Sequence, residues 1–296
     1  MSEETILITG ATGNVGGAAL RSLAAQSKGI IRVGLRNPDS IRSLPGDPTA
    51  VHLDFADANT FGPSLAGVDR LLLIRPPLLA NVRRYFEPFI RAAENGGVKQ
   101  VVFLSVMGVE EASFIPHAKI EKLLAGSSVS YTFLRAGFFN QNLSTTHAAD
   151  IRDDDRVFVP AGTGKTAFVD ARDIGEVAAR TLTEDGHQNS AYTLTSYDLL
   201  DYYEVARILS EELGRNIRYE KPGALRFIAK ELREGTSLTF ALLMAGVYMP
   251  TRLGRTERSD DALTELLGRS PVTFRAFVRE HLDAWRSGSA PGEPEP

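Results

Sequence analysis

The segment Thr9-Gly10-Ala11-Thr12-Gly13-Asn14-Val15-Gly16 constrains this chain more than any other feature. It follows an apolar run over residues 5–9 that reads as a buried strand. It leads into residues 14–26, where Val15, Ala18, Ala19, Leu23 and Ala24 fall on one helical face. The glycine spacing is G-x-x-G-x-x-G, one residue wider at its start than the common dinucleotide fingerprint. In that setting Gly10 permits a tight turn, Gly13 lets a pyrophosphate approach the backbone, and Gly16 lets the helix lie close to the sheet. The helix start at Asn14 offers unpaired N–H groups and a partial positive charge to phosphates.

The rest of the first half repeats the alternation. Apolar runs near 30–35, 50–53, 69–74, 100–104 and 130–134 read as strands, with helical patterns over 79–95 and 117–125. Alternation at this spacing predicts a Rossmann-type, doubly wound parallel sheet with helices on both faces. From Phe138 the rhythm changes to short strands near 157–159, 167–169, 191–195 and 217–219 among uneven helices. Asp170 and Asp201 stand as helix N-caps, and 224–285 reads as mainly helical. The expected division is a dinucleotide-binding core over 1–137, a smaller substrate-covering lobe over 138–286 interleaved with it, and a disordered Ser/Gly/Pro/Glu-rich tail over 287–296.

Composition narrows the function. The net charge is −4 and no polybasic stretch occurs, which argues against a nucleic-acid surface. With no cysteine, disulfides, thiolate catalysis and Cys-based metal sites are excluded. The scattered His52, His147, His187 and His281 lack metal-ligand spacing, so no metal site is expected. No apolar run reaches the ~20 residues of a membrane span, and cytoplasm is the default compartment. Residues 162–166, Gly-Thr-Gly-Lys-Thr, lack the setting of a phosphate loop and read as a hairpin turn.

Two further positions refine the nucleotide reading. Arg36 ends the second strand, where NAD-preferring folds place a carboxylate for the ribose. It reads as a ligand for a 2′-phosphate, hence NADP(H), or else as a solvated turn arginine. Asp54, after the third strand, reads as an adenine contact or as a helix N-cap.

Together these residues resemble the NmrA-like branch of the atypical short-chain dehydrogenase/reductases. The opening Ile8-Thr9-Gly10-Ala11-Thr12-Gly13-x-x-Gly16 is similar to that family's, as are Val101-Val102-Phe103-Leu104-Ser105 and His117-Ala-Lys-Ile-Glu121. So are Tyr131-Thr-Phe-Leu-Arg135-Ala-Gly-Phe-Phe-Asn140-Gln-Asn142 and Phe168-Val-Asp170-Ala-Arg-Asp173. Within the branch, the Leu73-Ile74-Arg75-Pro76-Pro77 loop resembles that of quinone-, azo- and iminium-reducing members. The resemblance implies that Gly10, Thr12, Gly13, Asn14, Val15 and Gly16 form the pyrophosphate turn. It implies Arg36 at the 2′-phosphate and Asp54 with Phe55 at the adenine. It also implies Ile74, Arg75, Pro76, Ser105 and His117 at the ribose and nicotinamide, with Phe138, Phe139 and Asn142 bordering the acceptor.

One departure stands out. Ordinary short-chain reductases use a Tyr-x-x-x-Lys pair, whereas the corresponding positions here are Ser113 and His117. Alcohol–carbonyl exchange needs the tyrosine acid, so an electrophilic small-molecule acceptor such as a quinone, azo compound or cyclic iminium is the expected partner. His117 then reads as a proton donor near neutral pH or as a ribose-binding, partly buried histidine. Phe138 and Phe139 read as an acceptor wall or as core. The apolar stretch 238–249 reads foremost as helical core, with pocket lid and partner surface as alternatives. A homodimer is compatible with all of this. The second functional class is a non-catalytic NADP(H) redox sensor acting through a protein partner, equally consistent with the missing tyrosine.

Overall fold

The computed structural model describes residues 4–26 and 29–286. In chain order its first half contains β1 (Thr5–Thr9), α1 (Asn14–Gln26), β2 (Ile30–Leu35), β3 (Thr49–His52), α2 (Phe61–Leu65), β4 (Arg70–Leu73) and α3 (Val82–Asn95). Next come β5 (Gln100–Val106), α4 (Pro116–Ala125) and β6 (Ser130–Ala136). The second half holds β7 (Phe138–Phe139), α5 (Gln141–Ser144), α6 (Ala148–Asp154), β8 (Arg156–Val157), β9 (Thr166–Val169) and α7 (Ala171–Thr183). It continues with β10 (Ser190–Leu194), β11 (Leu199–Leu200), α8 (Tyr202–Leu213), β12 (Arg218–Tyr219) and α9 (Ala224–Arg233). The last α-helices are α10 (Leu238–Val247), α11 (Met249–Arg252), α12 (Ala262–Leu267) and α13 (Phe274–Glu280).

The main sheet has the order β10-β6-β5-β4-β1-β2-β3, parallel throughout. Side chains alternate across it. Ile6, Ile8 and Val33 face Ala19, Leu20 and Leu23 of α1 and Ile174, Val177 and Ala178 of α7. Leu7, Leu71, Leu73, Val101 and Phe103 face Phe86, Phe89 and Ile90 of α3 and Ile120 and Leu124 of α4. Both faces are covered, which is why the strands are apolar runs rather than alternating ones. Each fully buried Leu, Ile or Phe contributes roughly 1.5–3 kcal/mol.

Residues beyond 137 also join the main sheet and its covering helices. Helix α7 packs on α1, and β10 extends the main sheet beside β6, with Tyr192 in register with Leu134. The core therefore includes residues from beyond the point where the sequence rhythm changes. The remaining lobe is built on two small sheets, β11-β9-β7 and β12-β8. Its aromatic centre includes Phe168, Tyr202, Tyr248, Phe274 and Trp285. Two strand expectations shrink to two residues each, β8 and β12. Residues 162–166 do form a turn, but it is not a hairpin: β8 pairs with β12, and β9 pairs with β7 and β11. The tail over 287–296 lies outside the described residues.

Both expected caps form. The Asp170 carboxylate accepts from the Arg172 backbone N–H at 2.8 Å. Asp201 and Glu204 close a reciprocal capping box at the start of α8.

Candidate active site

Because all seven main strands run the same way, the loops after β1 to β5 collect at one edge of the sheet. The strand order reverses between β1 and β4, the place where such sheets open a crevice. Two loops flank it, residues 10–13 and 74–80. The Thr9 side chain stitches them together. Its hydroxyl lies 3.1 Å from the Leu72 carbonyl and 3.3 Å from the Ile74 carbonyl, and accepts the Ile74 N–H at 2.7 Å. Thr9 was not singled out from the sequence; a buried β-branched hydroxyl beside the glycine turn is the signal that marks it.

The turn itself is held by contact distances. Gly10 has φ +67, and a Cβ there would lie 3.1 Å from the Ile74 Cβ. A Cβ on Gly16 would sit 2.1 Å from the Gly10 carbonyl oxygen, so only glycine lets α1 leave the strand this closely. Thr12, Gly13 and Asn14 are exposed, while Val15 and Gly16 are buried behind them. The result is a helix N-terminus open to an incoming phosphate.

Arg36 follows β2, exposed, and makes no hydrogen bond or ion pair among the described residues. Asp54 does not cap a helix; its carboxylate accepts from Ala56 N at 2.8 Å, and Asp57 is the cap that follows. Phe55 differs from the expectation of an adenine contact. Its ring is buried among Phe86 and Phe89, both at 5.0 Å between centroids.

On the other side of the crevice, Arg75 folds back over its own loop. One guanidinium nitrogen donates to the carbonyls of Pro76 and Pro77, each at 2.9 Å, and of Leu79 at 3.3 Å. Its Nε is buried without a partner. His117, the second residue of α4, lies with its ring 6.0 Å from that of Phe103. Burial, with the nearby Arg75 charge adding to it, pushes its pKa down to about 3. The imidazole is therefore neutral at neutral pH, which removes the expected proton donor titrating there.

Ser105 is also corrected. Its hydroxyl donates to Glu121 Oε1 at 2.6 Å instead of lining the crevice. Glu121 in turn is gripped by Arg135 through two bonds of 3.1 and 2.7 Å, a buried bidentate pair. Ser105 and Arg135 are register partners on β5 and β6, so the pleat puts both on the α4 side. This network sets the position of the helix that carries His117.

Phe138 and Phe139 are partly buried and Asn142 half-buried. Phe138 packs edge-on to Phe168 at 5.4 Å and against Tyr248 at 5.5 Å, making it part of the second lobe's aromatic centre; Phe139 packs on the main core. Within the same centre His147 and Tyr248 share a 2.5 Å hydrogen bond, and burial drives the His147 pKa down to about 3. Helix α10 is core on one face only: Ala241, Met244 and Ala245 are buried, whereas Leu238 and Leu242 are half exposed. Among the described residues no helix is long and apolar enough to cross a membrane.

The model of the NmrA-like family matches residues 2–228. Prestalk A differentiation protein A of Dictyostelium discoideum is 29% identical over 98% of this chain and 96% of its own length. The NAD(P)H azoreductase of Xenophilus azovorans is 31% identical over 92% of this chain and 90% of its own. Among solved structures, an NADPH-dependent quinone oxidoreductase from Escherichia coli, complexed with NADPH, superposes with a TM-score of 0.85. It is 27% identical and covers 94% of this chain and 99% of its own.

Proposed function

The chain belongs to the NmrA-like family, and from that premise we propose that it is an NADP(H)-dependent reductase delivering hydride to an electrophilic small-molecule acceptor, a quinone, azo compound or cyclic iminium. The observation that carries the cofactor half is the open helix start behind Gly10 and Gly16, with the unpartnered Arg36 beside it. In this reading the backbone N–H groups near Thr12, Gly13, Asn14 and Val15 hold the pyrophosphate, and Arg36 holds the 2′-phosphate. Asp54 and the Phe55 backbone border the adenine. Ile74, Pro76 and the neutral His117 border the ribose and nicotinamide. When bound, NADPH supplies the hydride.

The acceptor side follows from what the chain lacks. Ser113 and His117 offer no tyrosine acid, and His117 is held neutral. Such a site suits acceptors whose reduced form tolerates leaving without an immediate proton. In this reading Phe138, Phe139 and Asn142, each only partly buried, border the acceptor. The test is calorimetric titration with NADPH and NADH, followed by absorbance of the reduced nicotinamide on adding quinones, azo dyes and cyclic iminium ions. Tight NADPH binding with oxidation supports the proposal. Tight binding without oxidation by any of the three would leave a cofactor-binding regulator and sink the reductase.

A further inference from the structure

Arg75 is half-buried, yet no carboxylate pairs with it among the described residues. Nearby at the sheet's carboxyl edge, Arg135 and Glu121 neutralise each other, and Ser105 donates a further hydrogen bond to the carboxylate. Burial pulls the Arg75 pKa down, with no opposing carboxylate to raise it. Its three hydrogen bonds go to uncharged carbonyls and its Nε has none. A guanidinium is not deprotonated in such a place, so the site carries a standing, poorly solvated positive charge. Its field reaches the His117 ring, on the facing helix.

We propose that Arg75 selects acceptors by charge, favouring neutral carbonyl compounds and anions such as quinones and sulfonated aromatics, and rejecting cationic acceptors. This rests on the reductase reading of the same site and narrows its substrate class. A neutral quinone that gains a hydride from NADPH becomes a phenolate monoanion, the cofactor is left oxidised, and one solvent proton completes the hydroquinone. The unpaired guanidinium is complementary to that phenolate and to an acceptor that arrives negative. A cyclic iminium or cationic dye would have to bring a second positive charge beside the first. Interaction between unit charges about 6 Å apart in a half-solvated cleft amounts to roughly tenfold in affinity per unit of acceptor charge.

Three naphthoquinones of one size serve as probes: the parent compound, a sulfonate, and a trimethylammonium derivative. Their binding to the protein loaded with tetrahydro-NADP, whose saturated ring is uncharged and gives up no hydride, is measured by calorimetry, which reports charge preference without turnover. The expected order is sulfonate, parent, ammonium, with about tenfold between steps, narrowing as salt is raised. Arg75→Gln should compress the ratios within the series to about threefold, whatever its effect on cofactor affinity, and Arg75→Lys should keep the order. Should Arg75→Gln not fold, the order and its salt dependence in the unaltered protein decide. A flat series there, or the same order in Arg75→Gln, would overturn the proposal. If the series is ordered but no quinone is turned over, charge selection stands and the reductase reading falls.

Discussion

Adding one methyl at Gly16 and one at Gly13 should separate the two jobs of the glycine turn. At Gly16 the new Cβ lies 2.1 Å from the Gly10 carbonyl oxygen and 2.5 Å from its carbon, both backbone atoms. Ordinary C···O contact begins near 3.2 Å, so α1 and the turn must part by about 1 Å, an overpacking that costs roughly 1–3 kcal/mol. The same displacement moves the N–H cradle, and a shift of about 1 Å at a positioned site is worth roughly a hundredfold in function. At Gly13 the nearest atom to an added Cβ is the same oxygen at 3.4 Å, ordinary contact, and the residue is exposed. Gly13→Ala should therefore unfold in urea with the wild-type midpoint. It should nonetheless bind NADPH at least tenfold more weakly, an estimate of about 1.4 kcal/mol, because the methyl stands where the phosphate approaches. Gly16→Ala should lose both stability and affinity. Urea unfolding and calorimetric titration on the two variants suffice. Wild-type NADPH affinity in Gly13→Ala would refute the phosphate placement; wild-type stability in Gly16→Ala would refute the contact argument.

Arg36→Ala should weaken NADPH binding roughly 10- to 100-fold, since a lost charge-assisted bond is worth about 1.5–3 kcal/mol, and leave NADH binding and the melting temperature unchanged; equal losses for the two nucleotides would remove Arg36 from the 2′-phosphate. Asp201→Ala opens the α8 capping box and should cost about 1 kcal/mol in urea unfolding without touching NADPH affinity. His147 has a folded pKa of about 3 against an ordinary value of 6.5, so the unfolded chain binds a proton that the folded one refuses. Its contribution is complete above pH 6.5 and is lost as pH falls toward 3, with a slope of about 1.4 kcal/mol per pH unit between them. His147→Gln should flatten the stability profile by that slope over that window, and an unchanged profile would show that His147 accepts a proton in the folded state.

Much of the site was legible because it is local. The strand–turn–helix around Gly10 to Gly16 and the caps at Asp170 and Asp201 depend on residues a few positions apart, and each forms. What was not legible depends on distant partners. Ser105 turns to Glu121 because β5 and β6 pair in a register that stacks it beside Arg135. Phe55 goes inward because Phe86 and Phe89 arrive from α3 to receive it. Strand β10 looks like a piece of the second lobe until α7 packs across α1 and brings it beside β6. The neutral state of His117 likewise follows from burial and from Arg75, forty-odd residues away on another loop, and no spacing rule reports it.

The Thr9 hydroxyl has a consequence for anyone redesigning acceptor preference. It bonds both the N–H and the carbonyl of Ile74, and Ile74 in turn abuts Gly10. The loop that bears Arg75 is thus tied to the phosphate turn through backbone groups. Transplanting residues 74–80 from a relative would therefore keep both bonds to Thr9 unless the graft begins with proline. What a graft must match is the side chain at its first position, because Ile74 abuts Gly10 and a bulkier residue there would press on the phosphate turn, so that selectivity and cofactor affinity would change together.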